Sequence, residues 1–294
     1  MTDTPPLGQS WMPPRAPLEM LAQKLHQHPA PITAYNERSN SSFAWRLALF
    51  GPALVGTVLM LNGLYGWFAE TGMTGLEWVL LSMIGLMFVW VSLSVSTIGL
   101  AIAGLLARAN QSDAAPSDVP GMRVALLLPI YNEPTGDVFG NASAMLEDLA
   151  ARASRHVYAL FVLSDTNDPV VAAKELQAFA LLQATAPAGV SVHYRRRAEN
   201  TDKKVGNLVD WITGWGGDFE AMVVLDADSL MSGRAIDCLA DEMSRDPKAG
   251  LIQTCPVLIS ADTLFARLQQ FSNIAYGWLL AEGLARWSRS EGNY

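Results

Sequence analysis

The sequence predicts an α/β domain with a mostly parallel sheet, preceded by two transmembrane helices. Three observations carry this expectation. The chain is 50% hydrophobic and only 16% charged, too apolar for an average soluble domain. Two long uncharged runs, Leu47–Phe68 and Trp78–Ala107, stand in its first third. Beyond them, short apolar runs alternate with helical patterns, as in βαβ units.

Residues 1–45 read as a cytoplasmic N-terminal tail. Pro5, Pro6, Pro13, Pro14, Pro17, Pro29 and Pro31 lie among polar residues without the pattern of a secretory signal, leaving at most a helical turn or two around Leu18–Leu25. A transmembrane hairpin occupies 46–108. Its first run has no charge over about 22 residues, enough at the α-helical rise to span roughly 30 Å of hydrocarbon. Tyr65 and Trp67 suit the headgroup boundary at its outer end. The second run is longer than an upright span needs and must tilt or extend beyond the bilayer. Its Ser82, Ser92, Gly85, Gly99 and Gly104 allow close helix packing. Arg38 and Arg46 precede the hairpin and Arg108 and Arg123 follow it, whereas Ala69–Glu77 carries no basic residue. This bias puts both flanks in the cytoplasm. Residues 109–121, with Pro116 and Pro120, read as a linker.

A soluble domain is expected over 122–294. Val124–Ile130, Tyr158–Leu163, Val190–Tyr194, Ala221–Leu225 and Leu251–Thr254 are short apolar runs suited to buried parallel strands. Met145/Leu146/Leu149, Val205/Leu208/Val209/Ile212 and Ile236/Leu239/Met243 repeat at helical spacing. Asp168 before Pro169 is an N-cap and first-turn pair for a helix to about Gln183. Asp262–Trp287 forms one further helical stretch, expected to pack its apolar face on the sheet, with a membrane surface as the other placement.

Ligands of parallel sheets bind at the carboxyl ends of the strands, where this sequence concentrates its polar residues. Strand one ends in Tyr131-Asn132-Glu133, strand two in Ser164-Asp165-Thr166, strand four in Asp226-Ala227-Asp228. Carboxylates at a strand end suit a hard divalent cation, Mg2+ or Mn2+, which completes its shell with water and phosphate oxygens. A bare D-x-D is more often an ordinary acidic turn; its companions at neighbouring strand ends raise the metal-nucleotide reading. Arg195, Arg196, Arg197, Lys203 and Lys204 are the densest cations of an acidic chain and could hold a diphosphate. The arginine run reads equally as a solvated or lipid-facing loop. The net charge of -8 gives no field for nucleic acid, and the chain has neither a phosphate-loop nor a dinucleotide fingerprint. The four histidines form no metal-ligand cluster, and Cys238 and Cys255 read as reduced core thiols.

The ordered series Pro-Ile-Tyr-Asn-Glu (129–133), Leu-Ser-Asp (163–165), Lys-Lys-Val-Gly-Asn (203–207), Val-Val-Leu-Asp-Ala-Asp-Ser (223–229) and Ile-Gln-Thr-Cys-Pro (252–256) resembles the GT-A catalytic domain, a Rossmann-like fold, of family 2 glycosyltransferases. Tyr194-Arg195-Arg196-Arg197, Leu225–Met231 and Thr263–Arg267 with Gln269-Gln270-Phe271 resemble the glucans biosynthesis glucosyltransferase H family. The resemblance implies a bacterial inner-membrane, multi-pass, inverting glucosyltransferase with a cytoplasmic catalytic domain. The donor would be UDP-glucose and the acceptor a growing β-glucan of the osmoregulated periplasmic type. It further implies that Tyr131, Glu133 and Asp165 hold the uridine, that Asp226 lies near ribose and diphosphate, and that Asp228 binds the metal. The family's general-base motif and its Gln-x-x-Arg-Trp motif would fall beyond Tyr294. The domain is therefore expected to be incomplete at its C-terminus, and this chain to bind donor without elongating glucan. A nucleotide-sugar-binding membrane module without turnover, and a fragment of a cellulose or hyaluronan type synthase, are the alternatives.

Overall fold

A computed structural model describes residues 11–20, 39–70, 72–108, 119–246 and 249–288. The expected linker lies almost wholly outside them, as does most of the turn expected around Leu18–Leu25, of which 18–20 are irregular. The chain forms two compact units, one of residues 1–24 and 116–254, the other of 25–115 and 255–294. The division differs from the expected one at both ends: the N-terminal segment goes with the sheet domain, and the last forty or so residues go with the hairpin.

The first unit is built on four parallel strands, β1 (Arg123–Ile130), β2 (Val157–Ser164), β3 (Ser191–Arg196) and β4 (Ala221–Val224), in the order β3-β2-β1-β4. Parallel strands need covered crossovers, and the helices α3 (Thr135–Ala150), α4 (Pro169–Thr185) and α5 (Lys203–Trp215) supply them, while α6 (Gly233–Arg245) follows β4. The two-residue period of the strands sorts the core into layers. Val124, Leu126, Leu128 and Ile130 of β1, with Tyr158, Leu160 and Val162 of β2, face Phe139, Met145, Leu146 and Leu149 of α3, Phe179 of α4 and Ile236 of α6. The intervening Ala125, Leu127, Ala159, Phe161 and Leu163 face Trp211 and Trp215 of α5.

Local sequence sets the helix starts. Asp168 accepts from the amides of Val170 and Val171 at 2.7 and 3.3 Å, the cap its position predicts. Ser232 caps α6 through the amide of Ala235. A Cβ on Gly233 would lie 2.7 Å from the Cα of Leu149, so only glycine lets α6 start this close to α3.

The expected strand Leu251–Thr254 is not formed, and Leu251 is largely exposed. A strand exists only through a ladder partner, and among the described residues the outer edge of β4 pairs with nothing. Both cysteines are exposed and unpaired, not buried in the core.

The second unit contains α1 (Ser39–Ala69) and α2 (Gly75–Arg108), a hairpin of two helices long and apolar enough to cross a membrane. Only 17% and 11% of their most apolar windows are buried, so their surfaces suit hydrocarbon rather than a protein core. Hydroxyls on them are satisfied within their own helix: Thr57, Ser82, Ser94 and Thr97 each donate to the carbonyl four residues earlier. Thr74 and Glu77 form a reciprocal capping box at the start of α2.

The stretch expected as one helix from Asp262 is α7 (Leu264–Ser272), a π turn (Asn273–Gly277) and α8 (Trp278–Ser288). Within its unit, the α8 part of this stretch packs on the hairpin, chiefly on α2. Gly283 of α8 abuts Thr97 of α2 so closely that a Cβ would lie 2.2 Å from the Thr97 carbonyl oxygen. This small-residue contact was invisible to an apolar-face argument, because a face shows what is buried and not against what. Leu264, Phe265, Leu268 and Phe271 of α7 remain exposed.

Candidate active site at the carboxyl rim of the sheet

The first two strand ends are fastened together by polar groups immediately beyond the ladder. Asn132 sits in the left-handed region at φ 54, which an asparagine tolerates. Its amide donates to the Thr166 hydroxyl at 2.9 Å, its side-chain nitrogen to Asn167 at 2.7 Å, and its side-chain oxygen accepts from the Asp168 amide at 3.1 Å. Asn167 in turn donates to the Tyr131 hydroxyl at 3.1 Å, leaving the ring of Tyr131 exposed on the rim. Glu133 follows, half-buried, with no hydrogen bond or ion pair among the described residues.

Beneath this rim a buried carboxylate organises the loop. Glu175 of α4 accepts from Ser164 at 2.7 Å, from Thr166 at 2.5 Å and from Tyr194 at 2.9 Å. Burial and then the neighbouring Glu175 raise the Tyr194 hydroxyl above its ordinary 10, so it stays a donor.

Asp165 is buried and held in a bidentate pair by Arg197, at 2.6 and 2.7 Å, which fixes the plane of its carboxylate. Arg197 also donates to the Lys203 carbonyl at 3.2 Å, tying the end of β3 to the start of α5. Arg196 donates to the Thr166 carbonyl at 2.8 Å. Arg195 is buried, pairs with Asp210, donates to Asn207 and lies 5.8 Å over the Trp215 ring. Burial and then the adjacent Arg197 lower its guanidinium to about 10, against the opposing pull of Asp165, and it remains cationic at neutral pH. The arginine run is therefore neither a solvated nor a lipid-facing loop. Each of the three side chains pins a different part of the rim.

The opposite wall comes from α5 and β4. Asp202 and Lys203 both adopt positive φ, 55 and 51, and a Cβ on Gly206 would lie 2.1 Å from the Thr201 carbonyl oxygen. This tight turn swings Lys204 onto Asp226, with which it forms an ion pair. Asn207 locks the turn to the sheet by donating to the Leu163 carbonyl at 2.9 Å. Lys203 and Lys204 are both exposed. Asp226 is exposed in a turn closed by Ser229, whose amide donates to the Asp226 carbonyl at 3.0 Å. Asp228, two residues on, is exposed and carries no ion pair among the described residues.

The donor set answers which metal could sit here. No group of three or more His, Cys, Asp or Glu is poised for a metal among the described residues. Two exposed carboxylates fit a hydrated Mg2+ or Mn2+ that draws its other oxygens from water and phosphate, and do not fit a closed zinc cage.

Sequence reasoning named Tyr131, Glu133, Asp165, Lys203, Lys204, Asp226 and Asp228. The structure joins Lys204 to Asp226, and Asp165 to the Lys203 backbone through Arg197. Glu133 and Asp228 stand on the same rim without a bonded partner among the described residues. Sequence reasoning placed Asn132, Thr166 and Asn167 at the strand ends but gave them no fastening role, and it missed Glu175 as their support. The signal for Glu175 was a lone acid in an apolar helical stretch, which only a buried polar cluster could accommodate.

The strand order of a Rossmann-like half, with acids and cations at its carboxyl rim, defines an α/β domain of the kind that binds ligands at its strand ends, in a chain that also holds two long apolar helices. No family model matches the chain. It is 38% identical over 292 residues to the glucans biosynthesis glucosyltransferase H of Vibrio cholerae, and 37% identical over 293 and 294 residues to the proteins of that name in Shewanella baltica and Shewanella oneidensis. Each match takes in 98% of this chain and 40% of the relative, so the chain spans about two fifths of the length of the curated relatives it matches. The chain is thus similar over nearly its whole length to part of these glucosyltransferase H proteins.

Proposed function

We propose that this chain is the donor-binding portion of a membrane-bound, inverting glucosyltransferase that moves glucose from UDP-glucose to a growing β-glucan. The observation that carries the reading is the pairing, on one sheet rim, of Asp165 with Arg197 and of Asp226 with Lys204, in a chain related end to end to proteins named glucosyltransferases. In this reading Tyr131, Glu133 and the oriented Asp165 carboxylate hold the uridine. Asp226 approaches the ribose and diphosphate, Lys203 and Lys204 offset the diphosphate charge, and Asp228 with Asp226 holds Mg2+ or Mn2+. The metal, when bound, stabilises the charge of the departing diphosphate. The acceptor hydroxyl attacks the anomeric carbon in line, its new C–O bond forming as the bond to the diphosphate breaks, which inverts the configuration. A general base takes the hydroxyl proton, and none of the described residues is assigned that role. Both helices cross the bacterial inner membrane and the sheet domain faces the cytoplasm, where nucleotide sugars are made.

The test is titration of UDP into the chain in detergent, with Mg2+, with Mn2+ and with a chelator, and again with Asp228→Ala. Metal-dependent tightening in the parent that Asp228→Ala abolishes is the expected result. Equal affinity under all conditions rejects the metal role, and equal binding of GDP rejects the uridine site.

A further inference from the structure

The free edge of β3 is not free. Trp11 runs antiparallel beside Tyr194, its amide donating to the Tyr194 carbonyl at 3.0 Å and its carbonyl accepting from the Tyr194 amide at 3.4 Å. The ring nitrogen of His193, 182 residues away in sequence, meets the same carbonyl at 3.2 Å. The segment places one side chain in each layer of the core. The Trp11 ring lies 5.5 Å from Phe179 and 6.1 Å from Tyr194 on the α4 face, and Met12 packs with the Trp211 cluster on the α5 face. Past the ladder the contacts move to the end of α5. Trp215 donates its indole N–H to the Pro13 carbonyl at 3.0 Å, and Arg15 lies 5.6 Å over the Trp215 ring. The Ala16 amide donates to the Gly214 carbonyl at 3.0 Å, and the Gly217 amide to the Ala16 carbonyl at 2.9 Å. A side chain on Gly217 would meet the carbonyls of Pro17 and Ala16 at 3.0 and 3.1 Å, so this floor is cut to fit the backbone of the segment.

These are the marks of a peptide-recognition groove: a sheet edge that reads backbone, pockets for alternate side chains, and a proline-rich ligand whose stiffness lowers the entropy of ordering it. We propose that the β3 edge with Gly214–Gly217 is a binding site for a Trp-Met-Pro-Pro-Arg-Ala-Pro segment. Residues 11–17 of this chain are its resident ligand, a separable segment held to the edge by one bridge at Trp11 and by the contacts of Pro13 to Pro17. Pro13, Pro14 and Pro17 lack amide hydrogens, so the seated segment offers few backbone donors to a further chain. Occupancy also reaches the rim, because β3 runs directly into Arg195, Arg196 and Arg197.

The full chain in detergent, with a protease site placed between Lys24 and Ala34, tests this without reference to nucleotide. After cleavage the N-terminal piece should co-elute with the remainder, and excess synthetic peptide of residues 11–20 should displace it saturably. The same peptide carrying Trp11→Ala should not. In the uncleaved chain, Trp11→Ala should speed hydrogen exchange at the Tyr194 and Gly217 amides while Leu126 and Leu128 stay protected. Immediate loss of the cleaved piece overturns the proposal, as does a piece that no peptide displaces, or displacement equal with and without Trp11.

Discussion

Replacing Glu175 by alanine is expected to destabilise the sheet domain by about 3 kcal/mol. The carboxylate is 1% exposed and accepts three hydroxyl bonds, from Ser164, Thr166 and Tyr194. Alanine leaves all three donors buried without a partner, and each such loss is worth about 1 kcal/mol at the low end. For a unit of this size that corresponds to a fall in Tm of about 10 °C. Glu175→Gln separates the bonds. Ser164 and Tyr194 share one oxygen, which the amide carbonyl can replace; the amide nitrogen then faces Thr166, and one bond is lost, about 1 kcal/mol or roughly 3 °C. Because Thr166 also accepts the Asn132 amide, Glu175→Gln should weaken UDP binding more than its small stability loss suggests. Thermal unfolding of the detergent-solubilised chain, followed by tryptophan fluorescence, reads the first effect and UDP titration the second. An alanine variant within about 2 °C of the parent would refute the reasoning, since three orphaned hydroxyls cannot be that cheap.

Burial holds the pKa of His193 below its ordinary 6.5, and the hydrogen bond to the Trp11 carbonyl offsets this only in part. With the folded value depressed, the unfolded chain takes up the proton first, so the contribution of His193 is complete above pH 6.5 and is lost as pH falls below it. The decline in Tm on acidification should therefore be shallower in His193→Gln, and identical profiles would exclude this role. Gly206→Ala should force open the turn that presents Lys204 and weaken UDP binding by about tenfold or more, the equivalent of about 1.4 kcal/mol. Gly140→Ala on α3, where a Cβ meets nothing within 4 Å, is the control that should leave binding unchanged.

Local chemistry was legible in the sequence because it is carried by neighbours along the chain. The two apolar helices, the Asp168 cap, four parallel strands and the placement of acids at their carboxyl ends each follow from periodicity or from adjacent residues, and they hold in the structure. What the tertiary structure alone decided is pairing. Leu251–Thr254 has the composition of a strand but no ladder partner among the described residues, and α8 chose the hairpin through one glycine against Thr97. The arginine run looked uniform, yet its three members turn to Asn207, Thr166 and Asp165 because successive strand residues point to opposite faces and the last leaves the sheet. Prolines made residues 11–17 look like an irregular tail. They fix the backbone without saying what it lies against, and the unpaired edge of β3 that receives it comes into being only when the sheet has formed.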